Sequence, residues 1–194
     1  MRIIAGRFKG RRLVAPEGEE TRPMLGRVRE SLFNILGDEL DGAEVLDLFS
    51  GSGGLGLEAL SRGAARVRFV EQSAKARKAL RRNCETFGLA ADEVEHAPGD
   101  ALLADAWRRP NGERWADVAF VDPPYPLWRS AGDRRTLLAT VQRVLDEAVV
   151  PGGVLVLHTH PRDLEPADLG LPSDAEPRIY GNSALWLLRA TPST

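Results

Sequence analysis

From residue 45 onward, short apolar runs alternate with amphipathic stretches, and this alternation constrains the fold more than any other feature of the chain. The runs are typical of buried strands, and the stretches between them have helical spacing. The alternation predicts an α/β fold, with a doubly wound, mostly parallel sheet and helices on both faces. The predicted strands are Val45–Phe49, Arg66–Val70, Val94–Ala97, Ala116–Val121 and Val154–His158, and the predicted helices are Leu55–Ser61, 74–87 after a cap at Ser73, and Arg134–Val149.

Two further strands near the end of the chain modify this pattern. Arg178–Gly181 and Ala184–Leu188 are close enough in sequence to pair as a hairpin, which would add an antiparallel strand to the parallel sheet. Pro151-Gly152-Gly153 is predicted to end the last helix before the fifth strand. Residues 101–114 read as a short helix and a polar loop, and Asp163–Pro177 reads as a surface loop.

The bulk composition is typical of one globular domain. The chain has 194 residues, of which 43% are hydrophobic and 28% charged. No apolar run approaches the length of a membrane span, and the N-terminus lacks the apolar segment of a secretory signal. Cys84 is the single cysteine, so no intrachain disulfide is expected. These features predict a cytoplasmic protein with no membrane association.

Positive charge is concentrated at the N-terminus. Residues 1–29 contain eight Lys or Arg and three Asp or Glu, whereas residues 30–194 contain 18 and 25. Residues 1–20 are predicted to form a basic β-hairpin extension around Gly6–Gly10, ahead of a domain over 21–194 whose first helix starts near Thr21-Arg22-Pro23 and ends at Gly37. A basic arm on an acidic body indicates a polyanionic partner, although a solvated basic surface would have the same composition.

A glycine-rich turn follows the first strand. Gly51, Gly53 and Gly56 would let the backbone pass close to a ligand at the start of a helix, and Glu71 ends the next strand, where a carboxylate can accept from ribose hydroxyls. The spacing fits both dinucleotides and S-adenosylmethionine. Asp47 suits a cationic ligand such as a sulfonium, and its alternative role is to cap the turn by bonding backbone amides. Asp100, after the third strand, could accept from an adenine amine or cap a helix.

Asp122-Pro123-Pro124-Tyr125 directly follows the fourth strand. The prolines restrict the backbone, so the carboxylate and the ring are held at the carboxyl end of a strand, where ligands bind in open α/β sheets. A carboxylate and a backbone carbonyl can accept both hydrogens of an exocyclic amine while the ring stacks on a flat base. The tetrapeptide therefore indicates a site for a planar group that carries an amine.

Taken together, these motifs resemble those of a known family. The order Asp47, Gly51-Ser52-Gly53, Glu71, Asp100 and Asp122–Tyr125 resembles class I S-adenosylmethionine-dependent methyltransferases that act on exocyclic amines. The segments Arg2–Gly6, Lys9-Gly10-Arg11, Arg22-Pro23, Val28–Asn34, Asp47–Gly53 and Gly56–Gly63 are similar to those of the bacterial 16S rRNA guanine-N2 methyltransferases. The resemblance covers residues 2–125 and is thin from 126 onward.

The resemblance implies a Rossmann-like class I methyltransferase fold and methyl transfer from S-adenosylmethionine, with S-adenosylhomocysteine as product and no metal. The implied partner is small-subunit rRNA within an assembling ribosomal subunit, bound by a monomer. The implied catalytic residues are Asp122, Pro123, Pro124 and Tyr125; the cofactor residues are Asp47, Ser50, Gly51, Ser52, Gly53, Glu71, Asp100 and Ala101; and the RNA-binding residues are Arg2, Arg7, Lys9, Arg11, Arg12 and Arg22.

The chain departs from the family pattern at the fifth strand. His158-Thr159-His160 stands where the family usually carries an acid, and the tail after Pro161 is also unlike the family. Alternate strand residues share a face, so the two histidines could form a metal pair. No third ligand has a sensible spacing, so they are predicted to be ordinary surface or edge histidines.

Three other functions fit part of the sequence. An N6-adenine methyltransferase on RNA or DNA would use the same tetrapeptide. A nicotinamide-dependent oxidoreductase would explain Gly51 to Glu71 but leaves Asp122–Tyr125 without a role. A non-catalytic RNA-binding module would explain only the basic arm.

Overall fold

The sheet is mixed and has seven strands. The computed structural model describes residues 1–16 and 24–191, and its strands lie in the order β3-β2-β1-β4-β5-β7-β6. Every pair from β3 to β5 is parallel, whereas β7 is antiparallel to both of its neighbours. The predicted antiparallel terminal hairpin is therefore confirmed. The strands are β1 Glu44–Leu48, β2 Arg66–Glu71, β3 Val94–Pro98, β4 Ala116–Val121, β5 Val149–Thr159, β6 Arg178–Tyr180 and β7 Ser183–Arg189.

Helices cover both faces of this sheet, as a doubly wound fold requires. They are α1 Gly26–Leu36, α2 Gly54–Ser61, α3 Ala74–Phe87, α4 Pro126–Arg129 and α5 Ala131–Glu147, with single 3-10 turns at Gly6–Phe8, Gly37–Leu40, Ala104–Ala106 and Pro166–Leu169. Neighbouring residues of a strand point to opposite faces. In β4, Phe120 packs in the core under α1, α2 and α3, and Ala119 packs in the core under α5. No helix in the described part of the chain is long and apolar enough to cross a membrane.

Most predicted element boundaries agree with the structure within a few residues. Ser73 caps α3 by accepting a hydrogen bond from the Ala76 amide at 3.3 Å, and Gly88 ends that helix in a left-handed conformation. Helix α5 starts before the predicted Arg134 because Ser130 caps it, accepting from the Asp133 amide at 3.2 Å. The short helix α4 was not predicted.

The prediction that Pro151-Gly152-Gly153 separates a helix from a strand is wrong. These residues belong to β5, which starts two residues after α5 ends. Gly152, with φ at +84°, donates to the Ala190 carbonyl at 2.9 Å. A Cβ on Gly153 would lie 2.8 Å from the Asp117 carbonyl oxygen, so the strands approach too closely there for a side chain. The β4–β5 register shifts at this point, as at a β-bulge.

The N-terminal hairpin is shorter than predicted. Within residues 1–16 its two sides form an antiparallel bridge between Arg2 and Arg12 rather than a regular strand pair, and its tip is a 3-10 turn. Ile3, Phe8 and Leu13 are all buried, and their spacing of five residues does not fit the two-residue alternation of regular strands. The predicted helix start at Thr21-Arg22-Pro23 lies outside the described residues.

Candidate functional site

A cavity of about 1100 Å³ opens at the carboxyl edge of the sheet. It lies where the strand order reverses, because the chain runs outward from β1 through β2 to β3 and then returns to add β4 and β5 on the other side. Such a switch point is the usual ligand crevice of an open α/β sheet. Strands β1 and β4 are direct neighbours, so the glycine turn and the Asp122 segment lie side by side in the cavity wall.

The glycine turn is shaped to leave room for a ligand. Gly51 has φ at +56°, which favours glycine, and a Cβ there would meet nothing within 4 Å. Phe49, which also lines the cavity, is the one non-glycine residue of the described chain with positive φ, at +58°. Backbone strain of this kind is concentrated at ligand sites. The open space at Gly51 therefore belongs to the cavity.

Glu71 is fixed by the same turn. Its Oε2 accepts from the Gly51 amide at 2.8 Å, and its Oε1 accepts from the Ser73 amide at 2.7 Å. Each carboxylate oxygen can accept a second hydrogen bond, so both remain able to bind hydroxyls. The structure thus places the predicted ribose acceptor in the cavity wall with a defined orientation.

Asp47 is buried beneath the turn. Its side chain lines the cavity floor, and its Oδ2 accepts from the Gly56 amide at 2.9 Å, so it makes the capping contact that was its alternative role. The pKa of Asp47 is raised to about 8, mainly by burial and also by the nearby Asp122 and Glu71 carboxylates, while the hydrogen bond from the Gly56 amide lowers it. A positively charged group in the cavity would favour ionised Asp47.

Tyr125 stands at the cavity mouth. The residue is 57% exposed, and the Arg129 guanidinium lies 4.9 Å from the ring centroid. Pro126 lines the cavity and starts α4, so the predicted rigid segment is continued by a turn of helix. The ring is therefore exposed enough to contact another flat group.

His158, at the end of β5, is the residue that the sequence interpretation missed. Its Nδ1 lies 2.8 Å from Asp122 Oδ1, and its Nε2 lies 3.0 Å from Ser183 Oγ. The His158 side chain is 17% exposed, so the prediction of an ordinary surface or edge histidine is wrong for this residue. The parallel pairing of β4 and β5 was the available signal, since it brings the ends of both strands together. No group of three or more His, Cys, Asp or Glu within residues 1–16 and 24–191 is arranged to hold a metal.

The remaining predicted cofactor residues divide into two sets. Ser50, Ser52 and Ala101 line the cavity. Gly53 and Asp100 do not line it: Gly53 caps α2 in a left-handed conformation, and Asp100 accepts from the Leu102 amide at 3.0 Å.

The basic side chains of the N-terminal arm are all exposed, but they differ in their contacts. Arg7 pairs with Glu93, and Arg11 lies 5.3 Å from the Phe8 ring. Arg2 donates to the Gly10 carbonyl at 2.9 Å. Arg22 lies outside the described residues. Within the described chain, only the side chains of Lys9 and Arg12 among these six predicted RNA contacts have no polar or aromatic partner.

Comparisons with known proteins agree with this geometry. The chain is 36% identical over 147 residues to the ribosomal RNA small subunit methyltransferase D of Escherichia coli, covering 76% of this chain and 67% of that protein. It is 39% identical over 125 residues to the protein of the same name from Haemophilus influenzae, covering 64% of each. The matches thus span about two thirds of the length of these relatives.

Solved structures share the fold over nearly the whole chain. The Escherichia coli methyltransferase YhhF superposes with a TM-score of 0.78 at 28% identity, covering 98% of both chains. An RNA methyltransferase from Salinibacter ruber, solved with S-adenosylhomocysteine, has the same fold with a TM-score of 0.63 at 19% identity, covering 89% of this chain and 95% of that one. The family model described as Conserved hypothetical protein 95 matches residues 1–189, and this chain therefore belongs to that family of Rossmann-like class I methyltransferases.

Proposed function

We propose that this protein transfers a methyl group from S-adenosylmethionine to the exocyclic N2 amine of a guanine in small-subunit rRNA, within an assembling ribosomal subunit. One observation carries the proposal: the glycine turn with Glu71 and the Asp122–Tyr125 segment line a single cavity. A cavity of about 1100 Å³ exceeds the volume of most small-molecule sites and has room for a cofactor and a flat base. The names of the curated relatives support rRNA as the substrate.

The residues of the cavity fit S-adenosylmethionine. The open backbone at Gly51 permits close approach, Glu71 presents two fixed oxygens to ribose hydroxyls, and buried Asp47 suits a cation better than a phosphate. When bound, this cofactor supplies a methyl carbon attached to a positively charged sulfur. Once ionised, Asp47 would disfavour the pyrophosphate of a dinucleotide, and a nicotinamide enzyme would leave Asp122–Tyr125 without a role, which weakens the oxidoreductase alternative.

Asp122 and the Pro123 carbonyl would orient the target amine. The lone pair of an exocyclic amine is delocalised into the base, so the amine is a poor nucleophile until its hydrogens are held out of the way. Two acceptors would hold the hydrogens and direct the nitrogen lone pair toward the methyl donor. This positioning would lower the activation barrier by several kcal/mol. The nitrogen becomes acidic only after it gains the methyl group, and Asp122 Oδ2 or solvent then takes the proton. Tyr125 would stack on the flipped base, contributing about 1–3 kcal/mol.

The direct test is methylation of unmodified ribosomal material. The protein is incubated with labelled S-adenosylmethionine and either free 16S rRNA or small subunits from cells that lack this modification, and the labelled base is mapped. We expect label on a guanine N2 and a greater yield from subunits. D122A should abolish transfer while leaving S-adenosylhomocysteine binding intact.

Other outcomes would favour the alternatives. Label on adenine N6 would replace the guanine assignment. Heat protection by NADH but not by S-adenosylhomocysteine would indicate a nicotinamide enzyme. Near-full activity of D122A would overturn the mechanism while leaving the substrate assignment in place.

A further inference from the structure

We propose that His158 is a positioning residue that holds the Asp122 carboxylate in its working orientation, an inference that rests on the proposed function. The evidence is the hydrogen-bonded series from Ser183 to His158 to Asp122, with distances of 3.0 Å and 2.8 Å. The three side chains come from β7, the end of β5 and the segment after β4, and all three line the cavity. The series therefore connects the antiparallel hairpin to Asp122, the residue proposed to accept a hydrogen bond from the target amine.

The chemistry of the partners decides which imidazole tautomer this geometry needs. An ionised carboxylate can only accept, so His158 Nδ1 must carry the hydrogen that it donates to Asp122 Oδ1. In the neutral ring, Nε2 is then an acceptor, and the Ser183 hydroxyl can donate to it. Every polar atom of the ring is thus satisfied without a positive charge. Asp122 therefore selects the tautomer, and Ser183 fits it because its hydroxyl can donate to Nε2.

As a consequence, the two carboxylate oxygens of Asp122 have different roles. Oδ1 is occupied by His158, while Oδ2 has no hydrogen-bond partner within the described residues. Asp122 is 30% exposed at its side chain, so without a second contact it could rotate toward solvent. With Oδ1 held, Oδ2 is left for the target amine. Loss of a hydrogen bond to a charged group corresponds to roughly 10- to 100-fold in an equilibrium or rate.

Two polar substitutions of His158 separate this role from simple space filling. In H158N the side-chain amide nitrogen takes the position of Nδ1 and can still donate to Asp122. In H158Q the amide reaches the position of Nε2, facing Ser183 instead. We expect H158Q to lower kcat by roughly 10- to 100-fold with little change in KM for S-adenosylmethionine, and H158N to restore most of the lost rate.

A spectroscopic measurement tests the same contact without any substrate. Nitrogen NMR of the histidine rings should show His158 with its proton on Nδ1, and D122N should shift that signal while leaving the signal of His96 in place. A His158 signal that is insensitive to D122N would overturn the proposal, and so would equal kcat values for H158Q and H158N. If the wild-type protein methylates no rRNA substrate but D122N shifts the His158 signal, the proposed function fails and the contact between His158 and Asp122 stands. If H158Q retains wild-type kcat on rRNA, the positioning role fails and the proposed function stands.

Discussion

The buried carboxylate of Glu58 accepts a hydrogen bond from the Ile4 amide at 2.7 Å, across 54 residues of chain. Its second oxygen accepts from the Ala5 amide at 3.1 Å, and the Glu58 side chain is fully buried. The N-terminal arm is therefore docked on α2, the helix that follows the glycine turn. Met1, at the end of this arm, lines the cavity. The arm thus links the surface proposed to contact RNA to the wall of the proposed cofactor site.

Substitution of Gly6 should undock this arm. Gly6 has φ at +78°, and a Cβ there would lie 1.6 Å from the Ser61 carbonyl oxygen of α2. We expect G6A to lower the melting temperature, because it combines the cost of a left-handed alanine, about 1–2 kcal/mol, with overpacking of about 1–3 kcal/mol. It should also expose the arm to limited proteolysis, which mass spectrometry of the fragments would detect.

Gly10 offers a matched control within the same arm. It has φ at +81°, but a Cβ there would meet nothing within 4 Å. G10A should therefore show only the conformational cost and leave the arm docked. Equal melting temperatures for G6A and G10A would mean that contact with Ser61 does not hold the arm in place.

Lys9 and Arg12 should contribute RNA affinity without contributing stability. Both side chains are exposed and lack a partner in the described chain, so their charges are available to phosphates. We expect K9A/R12A to reduce the slope of log affinity against log salt by about 1 to 2, while the melting temperature stays the same. The measurement is binding of a small-subunit rRNA fragment over a range of salt concentrations.

R135A provides the comparison for a basic residue elsewhere. Arg135 is also exposed, but it lies on α5, which packs against the opposite face of the sheet. It should change neither the affinity nor the salt slope. If R135A and K9A/R12A weaken binding equally, the arm is not the RNA surface and only the overall charge matters.

Most residues predicted for the cofactor half of the site line the cavity, because their positions depend on local signals, and their role toward a cofactor stays a prediction. Gly51, Glu71 and Asp122 each follow an apolar run, and the alternation of strands and helices places the carboxyl ends of parallel strands on one edge. The positions of these residues therefore follow from the fold class alone. The fold class in turn follows from the hydrophobic periodicity of the sequence and from its turn residues.

The contact between His158 and Asp122 could not be predicted in the same way. It depends on the register of β4 with β5 and on the placement of Ser183, which is 25 residues further along the chain, after a surface loop. A shift of one residue would turn His158 to the other face of the sheet. The Pro151–Gly153 segment suggested a break in structure but lies within β5 at a bulge, so local signals gave the wrong start of this strand.

Substitution of Gly51 should impair cofactor binding more than it impairs folding. A Cβ at Gly51 would project into the open cavity rather than into protein. G51A should cost about 1–2 kcal/mol of stability from its positive φ and should weaken S-adenosylhomocysteine binding at least tenfold by blocking close approach, at about 1.4 kcal/mol per factor of ten. Calorimetric titration measures the affinity and thermal melting measures the stability.

Gly112 isolates the conformational part of this effect. It has φ at +72° with open space around it, and it does not line the cavity. G112A should match G51A in stability and match the wild type in cofactor affinity. A G51A protein that binds S-adenosylhomocysteine as tightly as G112A would show that the cofactor does not approach this turn.

Asp47 should couple both stability and cofactor binding to pH. Its pKa is raised from 3.8 to about 8 in the folded protein by burial, so the folded state binds a proton that the unfolded state has released at neutral pH. The stabilisation from this group is therefore complete at low pH and is lost as pH rises toward 8. D47N can still accept from the Gly56 amide but carries no charge, so its melting temperature should exceed that of the wild type by an amount that grows between about pH 4 and pH 8 and then stays constant.

Binding of the cofactor should reverse the preference of the folded protein for protonated Asp47. A cationic cofactor beside Asp47 favours the ionised carboxylate, so binding of S-adenosylmethionine near neutral pH should release up to about one proton, and affinity should rise with pH until the free carboxyl is ionised. Calorimetry in two buffers that differ in ionisation enthalpy measures the released protons directly, and D47N should release none from this site. A wild-type protein that binds the cofactor without proton release, and whose melting curve runs parallel to that of D47N at every pH, would show that Asp47 is already ionised in the free protein and that its burial does not tune the site.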